Sequence, residues 1–300
     1  MKNKNLIAEF VRKHRLPDSF RETGSDFYVP LCEWVSRKTF DRDGDEAFVL
    51  GINGAQGTGK STLADFIGDY IFAEHNLRSV VLSIDDLYLA RSKRQALART
   101  VHPLLKTRGV PGTHDVNLGT RTISALKSLE RGQSVRVPRF DKSIDDRLPD
   151  SQWTVFDEPV DIVIFEGWCV GSAPVRKDKL SAAINELEKN EDKDGVWRLF
   201  VNRQLQDAYP LLFEMLDALV FLSAPDFDCV FRWRLEQEQK LVASSGATGT
   251  HVMSESEIGR FIQHYERITR QNLDSLPEIA DVRLELGEDH QVVVAHYRDD

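Results

Sequence analysis

Residues 51–67 read GINGAQGTGKSTLADFI, a stretch with four glycines in its first nine residues and a helical pattern after them. Residues 54–61 match the phosphate-loop pattern G-x-x-x-x-G-K-[ST] without a mismatch, directly after an apolar run over residues 47–52 that is typical of a buried strand. Glycine allows backbone angles at which successive N–H groups converge on phosphate oxygens, and the helix N-terminus adds partial positive charge. The stretch therefore predicts a strand, a phosphate-binding loop and a helix. The alternative is a glycine-rich turn without a ligand.

This loop and one later helix are expected to contact a nucleoside triphosphate. Lys60 would reach the β- and γ-phosphates, and Ser61 would bind Mg²⁺. ATP is favoured over GTP because no base-reading N/TKxD segment follows a buried strand. One of Arg232 and Arg234 would neutralise the transferring phosphoryl group, and the sequence leaves open which one. The predicted nucleotide-binding residues are Gly54, Ala55, Gln56, Gly57, Thr58, Gly59, Lys60, Ser61, Thr62, Arg232 and Arg234.

The strand pattern recurs along the chain. Apolar runs at residues 78–84, 161–165 and 218–222 alternate with helical segments at residues 117–130, 178–189, 203–216 and 226–242. This alternation predicts an α/β protein with the P-loop NTPase fold, in which a mostly parallel sheet carries helices on both faces. Before it, two helices are predicted around a loop punctuated by Gly24 and Pro30. After it, residues 254–273 are predicted as a helix, followed by two strands around Gly287.

The composition disfavours several classes of protein. The 300 residues carry 39 Lys and Arg against 48 Asp and Glu, a net charge of −9, so no nucleic-acid partner is expected. Cys32, Cys169 and Cys229 form neither a CxxC metal site nor a disulfide pattern. No window reaches the about 18 apolar residues of a membrane span, and the first residues lack the apolar region of a signal peptide. We expect a cytoplasmic protein without a membrane partner, whose oligomeric state the sequence does not predict.

Acidic side chains follow two of the predicted strands, at the edge where ligands bind in open α/β sheets. Asp85 and Asp86 are adjacent in extended chain and face opposite ways, so only one is expected to face the phosphates. We expect Asp85 to accept the proton of an attacking hydroxyl, although Asp86 or both residues could simply cap the next helix. Glu166 is expected to approach Mg²⁺ directly or through water. The predicted catalytic residues are Asp85, Lys60 and Glu166, and the predicted metal ligands are Ser61 and Glu166.

A polar segment between these strands gathers cations in an otherwise acidic chain. It comprises TVHPLLKTRGVPGTHDVNLG at residues 100–119 and SVRVPRFDKSIDDR at residues 134–147. Such cations favour an anionic acceptor, because the arginine fork suits a carboxylate and His or Asp can bind hydroxyls. Surface ion pairs are the alternative for each residue alone. The predicted acceptor-binding residues are Asp85, Tyr88, His102, Arg108, His114, Asp115, Arg136, Arg139 and Lys142. Asp141 and Arg147 belong to the same cluster.

Several stretches together carry a resemblance to a known family. They are GAQGTGKST, SIDDLYL, RGVPGTHD, VPRFDKS, VIFEGW and FRWRLEQEQ. Over about residues 25–285 the chain resembles the D-glycerate 3-kinase family, which belongs with phosphoribulokinase, uridine kinase and bacterial pantothenate kinase. RGVPGTHD together with VPRFDKS is a much more specific pattern than the widely shared phosphate loop. The resemblance implies phosphorylation of D-glycerate to 3-phosphoglycerate by ATP, with Asp85 as the base and Glu166 as the second acidic residue. Leu87 stands where many members of the wider group have Phe.

The predicted organisation is a helical lead-in over residues 1–45 and a P-loop kinase domain over residues 46–300. Within that domain we predict an acceptor-binding insert at about residues 100–150. A mobile, lid-like helix and loop is predicted at about residues 226–252, where SSGATGTH occupies residues 244–251.

The function most favoured is that of an ATP- and Mg²⁺-dependent kinase acting on a hydroxyl of a small hydroxy acid. One alternative is a kinase for a pantothenate-like or nucleoside acceptor. Another is an ATP-binding regulatory protein without kinase activity, which would need neither Asp85 nor Glu166.

Overall fold

A six-stranded sheet lies at the centre of the computed structural model, which describes residues 2–42, 44, 46–245 and 253–298. The strands are β1 Phe48–Gly54, β2 Ser79–Ser83, β3 Val135–Val137, β4 Phe140–Asp141, β5 Asp146–Arg147, β6 Thr154–Phe156, β7 Ile162–Gly167, β8 Ala218–Ser223, β9 Val282–Leu286 and β10 Val292–Tyr297. The central sheet has the order β10-β9-β8-β1-β7-β2, and every pairing in it is parallel except that of β10 with β9. Strands β3 and β6 form a separate pair, as do β4 and β5.

Helices pack on both faces of this sheet. They are α1 Lys2–His14, α2 Phe20–Thr23, α3 Val29–Phe40, α4 Lys60–His75, α5 Arg91–Thr100, α6 Val116–Lys127, α7 Glu186–Glu191, α8 Val196–Asp207, α9 Pro210–Phe213, α10 Phe227–Ser245 and α11 Glu255–Ile279. Side chains of β1 alternate between two cores: Leu50 packs with residues of α1, α3, α4 and α10, and Val49 packs with residues of α6, α8 and α9. These layers confirm the predicted P-loop NTPase fold. Within the described ranges, no helix is both long and apolar enough to cross a membrane.

The predicted loop at Gly24 and Pro30 is wrong, because this part of the chain is helical. Residues Gly24–Tyr28 form a π-helix between α2 and α3, and Pro30 lies in the first turn of α3, where a missing N–H breaks no intrahelical hydrogen bond. Gly24 is there for packing, since an added Cβ would lie 3.2 Å from the side chain of Ile7 in α1. Gly24 therefore serves a close helix contact, and neither Gly24 nor Pro30 interrupts the helical segment.

An aromatic cluster joins these N-terminal helices to α4, the helix that follows the phosphate loop. The ring of Phe66 in α4 lies 5.0 Å from Phe10, 6.1 Å from Phe20 and 5.5 Å from Tyr28, each in an edge-to-face arrangement. Phe66 is fully buried. Residues 2–40 therefore contribute directly to the core beneath the phosphate loop.

Other differences from the predicted elements have local causes. The helix predicted at residues 203–216 is divided into α8 and α9, because Pro210 has no N–H with which to continue α8. The one predicted at residues 178–189 is a 3₁₀ turn, Lys177–Leu180, followed by α7. Helix α5 and strands β3–β6 have no predicted counterpart. Most of the loop predicted at residues 244–251 lies outside the described residues, and the division into a lead-in and a kinase domain stays a prediction.

Replacing Phe66 with Ala tests the coupling between the N-terminal helices and the phosphate-loop helix. We expect the free energy of unfolding, measured by urea denaturation, to fall by about 3–5 kcal/mol, because a large core side chain is lost and leaves a cavity. Phe72→Ala is the matched control on the same helix, since Phe72 is 56% exposed, and it should change the free energy by less than about 1 kcal/mol. Equal losses in the two variants would contradict the role given to the cluster.

Candidate active site

The phosphate loop connects the end of β1 to the first residue of α4. Gly57 has φ +84° and Gly59 has φ +88°, a region that favours glycine, so these two residues allow the chain to turn tightly into the helix. The hydroxyl of Thr58 donates to the carbonyl of Ala55 at 2.9 Å and closes the loop. The Lys60 ammonium donates to the same carbonyl at 3.0 Å. Two side chains of the loop, those of Thr58 and Lys60, therefore hydrogen-bond to the loop's own backbone at Ala55.

The charge of Lys60 is partly balanced by acidic side chains. Burial lowers the pKa of Lys60, whereas the negative charges of Glu166 and Asp85 act in the opposite direction. Burial raises the pKa of Glu166, and the charge of Lys60 opposes that shift. Lys60, Asp85 and Glu166, which the sequence predicts to be catalytic, are therefore close enough to interact electrostatically at one end of the sheet.

Ser61 and Glu166 lie together, as the predicted metal site requires. The Ser61 hydroxyl donates to Oε1 of Glu166 at 3.3 Å, and Glu166 is buried one residue before the end of β7. Oxygen ligands of this kind suit Mg²⁺, which uses few protein ligands and completes its shell with phosphate oxygens and water. In the described part of the chain, no group of three or more His, Cys, Asp or Glu side chains could hold a metal ion by itself. The residues present fit a metal shared with a bound triphosphate.

Helix α10 and the turn between β9 and β10 pack against the phosphate loop at Gly57. A Cβ on Gly57 would lie 2.7 Å from Cβ of Trp233, so glycine allows this close approach as well as the turn. The indole of Trp233 stacks on the ring of His290 at 4.5 Å, and Nδ1 of His290 lies 3.0 Å from the carbonyl oxygen of Gly57. These contacts place the start of α10 against the phosphate loop.

Arg232 and Arg234 leave α10 in different directions, as their spacing predicts. Arg232 pairs with Glu288 at 3.1 Å and its side chain is 48% exposed. Arg234 pairs with Glu238 at 2.7 Å and lies over the ring of Phe261 at 5.9 Å. Nη1 of Arg234 is buried and has no hydrogen-bond partner among the described residues. Arg234 is therefore the member of the pair with an unused donor.

Asp85 and Asp86 lie in the 3₁₀ turn Ile84–Leu87, directly after β2. Asp85 accepts a hydrogen bond from Tyr88 at 2.5 Å and another from Lys142 at 2.6 Å. Burial acts to raise the pKa of Asp85, but the charge and hydrogen bond of Lys142 outweigh it, and the pKa is lower than usual. Asp85 is therefore an ionised carboxylate with a cation beside it.

Asp86 has a different set of contacts. It accepts from Arg139 at 2.8 Å and from the backbone N–H of Phe140 at 3.0 Å. These bonds hold the start of the β4–β5 hairpin, which carries Lys142, over the 3₁₀ turn. Burial raises the pKa of Asp86, against the effect of these hydrogen bonds. Asp86 thus anchors the segment that brings Lys142 to Asp85.

His114 is connected to Asp85 through the side chain of Tyr88. Its imidazole stacks on Tyr88 at 4.8 Å, and the two residues form an isolated backbone bridge. Burial lowers the pKa of His114 to about 4, although the charge of Asp85 opposes this, so the ring is neutral at physiological pH. Nδ1 lies 2.5 Å from the hydroxyl of Tyr209, whereas Nε2 is buried without a partner in the described part of the chain.

Arg108 belongs to the same side of the sheet. Its guanidinium pairs with Asp145 and lies over the ring of Phe140 at 5.5 Å. Its charge acts on the phenols of Tyr88 and Tyr265, which places it near the Asp85 cluster. The structure therefore brings together Lys60, Ser61, Asp85, Tyr88, Arg108, His114, Lys142 and Glu166 at the carboxyl edge of the sheet.

The remaining acceptor-binding candidates make contacts that are structural. His102 caps the 3₁₀ turn Pro103–Lys106 through the N–H of Leu104, and Asp115 caps α6 through the N–H of Leu118. Arg136, an exposed residue of β3, donates to the carbonyl of Asp150 at 3.3 Å. Arg139 is held by Asp86, Arg147 pairs with Asp115, and Asp141 accepts from Ser143. Acceptor binding by these residues stays a prediction.

Three residues of the site have no counterpart among the sequence candidates. Ser83 caps the 3₁₀ turn through the N–H of Asp85 and also hydrogen-bonds Glu166. Tyr209 binds His114, and Tyr265 of α11 donates to the carbonyl of Arg108 at 3.2 Å. Ser83 could be recognised as the last residue of a strand, two positions before Asp85. Tyr209 lies between α8 and α9 and Tyr265 lies in α11, both far along the chain, and no local pattern marks them.

No family model matches the chain, whereas individual proteins and structures do. "D-glycerate 3-kinase, chloroplastic" of Arabidopsis thaliana is 32% identical over 254 residues, which are 80% of this chain and 52% of the plant protein. This chain therefore spans about half the length of that relative. "Uncharacterized kinase mug58" of Schizosaccharomyces pombe is 36% identical over 225 residues, which are 73% of this chain and 78% of the yeast protein.

A solved structure matches over almost the whole fold. The D-glycerate 3-kinase from Cryptococcus neoformans var. grubii has a TM-score of 0.76 and 25% identity, covering 91% of this chain and 99% of that one. Because so much of each chain is covered, the similarity extends well beyond the phosphate loop. On these grounds the chain belongs to the D-glycerate 3-kinase family of P-loop kinases.

Proposed function

We propose that this protein transfers the γ-phosphoryl group of ATP to the 3-hydroxyl of D-glycerate, giving 3-phosphoglycerate and ADP. The observation that carries the proposal is the pairing of Asp85 with Lys142 beside the phosphate loop, because it places a carboxylate base next to a cation that suits an acid. The names of the plant relative and of the Cryptococcus protein support D-glycerate as the acceptor.

Asp85 is the group proposed to take the proton of the reacting hydroxyl. A bond forms between the acceptor oxygen and the γ-phosphorus, the bond from that phosphorus to its bridging oxygen breaks, and the hydroxyl proton passes to Asp85. The low pKa of Asp85 keeps it ionised in the resting enzyme. Movement of Lys142 from Asp85 to the carboxylate of the acceptor would raise that pKa and make the base stronger.

The donor side is proposed to bind the phosphates through the backbone of the phosphate loop and through Lys60. Arg234 is the better candidate for the transferring phosphoryl group because one of its nitrogens has no partner in the described structure, whereas Arg232 is directed to Glu288. Ser61 and Glu166 would hold Mg²⁺, which neutralises charge on the phosphates when bound.

The acceptor carboxylate is proposed to bind Lys142, whose side chain is 59% exposed and can change partner. Arg108 supplies a second positive charge near the same cluster. A neutral nucleoside would offer these cations no anion in exchange for Asp85 and Asp145. The arrangement therefore favours a small hydroxy acid.

Purified protein with Mg²⁺ and ATP should release ADP only when D-glycerate is added, and ³¹P NMR should identify 3-phosphoglycerate as the product. Lys60→Ala should lower kcat by about 10²–10³-fold, the size of effect seen when one preorganised group that stabilises developing charge is removed. The same assay should include pantothenate and nucleosides. Turnover with one of those alone would overturn the acceptor, and ATP binding without any phosphorylated product would favour a regulatory protein.

The two adjacent carboxylates should give different kinetics when each is replaced by its amide. Asp85→Asn should lower kcat by about 10²–10⁴-fold, because it removes the proton acceptor. Asp86→Asn should act on stability and on the KM for the acceptor, since Asp86 holds the hairpin of Lys142, and should keep kcat within about tenfold. An equal loss of kcat in both variants would contradict this division of roles.

Lys142→Met tests which cations of the polar segment meet the acceptor. Loss of a charge-assisted hydrogen bond should lower kcat/KM for D-glycerate by about 10–100-fold, while the KM for ATP changes little. Arg136→Met is the matched control, because the side chain of Arg136 is exposed and donates to the backbone carbonyl of Asp150. A larger loss in Arg136→Met than in Lys142→Met would reverse the assignment.

A further inference from the structure

We propose that His114 donates a hydrogen bond from Nε2–H to the non-reacting 2-hydroxyl of the acceptor, and that Tyr209 is the positioning residue that fixes this tautomer. The inference rests on the proposed kinase function and names a determinant of acceptor specificity within it. Tyr209 lies between α8 and α9, far along the chain from the polar segment that supplies His114.

The tautomer follows from the hydrogen bonds of Tyr209. The backbone N–H of Gly112 donates to the phenolic oxygen at 3.0 Å, so this oxygen already serves as an acceptor. The phenol is fully buried and burial raises its pKa far above the ordinary value, so it stays protonated. Among the described residues, Nδ1 of His114, at 2.5 Å, is the acceptor for the phenolic hydrogen. Nδ1 therefore carries a lone pair, and the single proton of the neutral ring is on Nε2.

The resulting Nε2–H has no partner. It is buried and makes no hydrogen bond in the described part of the chain. An unpaired buried donor costs free energy that a ligand oxygen would recover. The arrangement is therefore incomplete until an acceptor atom approaches Nε2.

The position of the ring connects this donor to the proposed acceptor site. His114 stacks on Tyr88, and the hydroxyl of Tyr88 donates to Asp85, the proposed base. Nε2 is buried and the charge of Asp85 acts on the His114 ring, so an acceptor whose reacting hydroxyl meets Asp85 would lie near this donor. The acceptor carboxylate would then pair with Lys142 in place of Asp85.

The chemistry of the donor predicts what it selects. A neutral N–H donates to a hydroxyl oxygen, whereas an ammonium group on the acceptor would bring a second donor to the same place. Lys142 and Arg108 provide the positive charge for a carboxylate, which leaves the neutral donor for the remaining hydroxyl. A 2,3-dihydroxy acid therefore fits, and 3-hydroxypropanoate and serine fit less well.

The test compares kcat/KM for D-glycerate and for 3-hydroxypropanoate in the wild-type protein and in Tyr209→Phe. The wild type should prefer D-glycerate by at least about 100-fold, since a site built to bind a hydroxyl rejects an analogue that lacks it. Tyr209→Phe frees the ring to adopt the other tautomer, so this preference should fall about tenfold while 3-hydroxypropanoate turnover changes less. His114→Ala should reduce the preference further.

Tyr70→Phe is the matched control, because Tyr70 is a buried tyrosine whose hydroxyl binds Glu33 at 2.7 Å in the N-terminal part of the fold. It should leave the preference unchanged. An equal loss on both acids in Tyr209→Phe would make Tyr209 purely structural and overturn the inference. Wild-type protein that phosphorylates neither acid would overturn the proposed function and this inference together.

A second measurement needs no variant. Two-dimensional NMR of the ¹⁵N-labelled wild-type protein distinguishes the two neutral histidine tautomers by the chemical shifts of the ring nitrogens. His114 should be protonated at Nε2 in the absence of ligand, and addition of D-glycerate should shift that nitrogen. Protonation at Nδ1 would overturn the inference even if the enzyme phosphorylates glycerate.

Discussion

The parallel register of β1, β7 and β2 determines where every proposed catalytic group lies. Ile52 of β1 is opposite Glu166 of β7, and Glu166 is opposite Ser83 of β2. Parallel strands end at a common edge, so the phosphate loop, Glu166 and the turn that begins after Ser83 form one row without any further constraint. The nucleotide-binding and acceptor-binding sides meet there because the strands, and not the loops, set the spacing.

Within that row, charges are balanced in pairs before any ligand is present. Lys60 interacts with Glu166 and Asp85, and Lys142 neutralises Asp85 from the other side. Burial would otherwise drive Lys60 and Glu166 to their neutral forms, as the directions of their pKa shifts indicate. When bound, the triphosphate with Mg²⁺ would take the place of the internal partners of Lys60 and Glu166. The carboxylate of the acceptor would take the place of Asp85 beside Lys142. The resting site can thus keep its charges buried without the ligands that it is proposed to bind.

The sequence was sufficient for the parts of this arrangement that depend on local pattern. The apolar runs predicted the parallel strands, and the phosphate loop was found where a strand meets a helix. It was less informative about roles that depend on distant contacts. Asp85 and Asp86 are identical in type and adjacent, and contacts from residues distant in sequence distinguish them. The β4–β5 hairpin binds Asp86 through the backbone of Phe140 and Asp85 through Lys142. In the same way, His102 and His114 share one polar segment, but one caps a turn and the other meets Tyr209.

Packing also explains why RGVPGTHD is a more specific sequence pattern than the phosphate loop. Gly109 has φ +132°, and a Cβ there would overlap the phenol of Tyr265 in α11, while its carbonyl accepts from the indole of Trp168. Gly112 donates to Tyr209 and leaves no room for a side chain, because an added Cβ would lie 2.6 Å from Phe200. Both glycines are thus required by helices that lie more than eighty residues away in sequence. The segment must fit α8 and α11, and it carries His114, which stacks on Tyr88, the donor to Asp85. Residues such as Tyr209, which contact this segment and not the acceptor, are therefore expected to affect acceptor specificity. The residues that contact the acceptor itself are expected to do so as well.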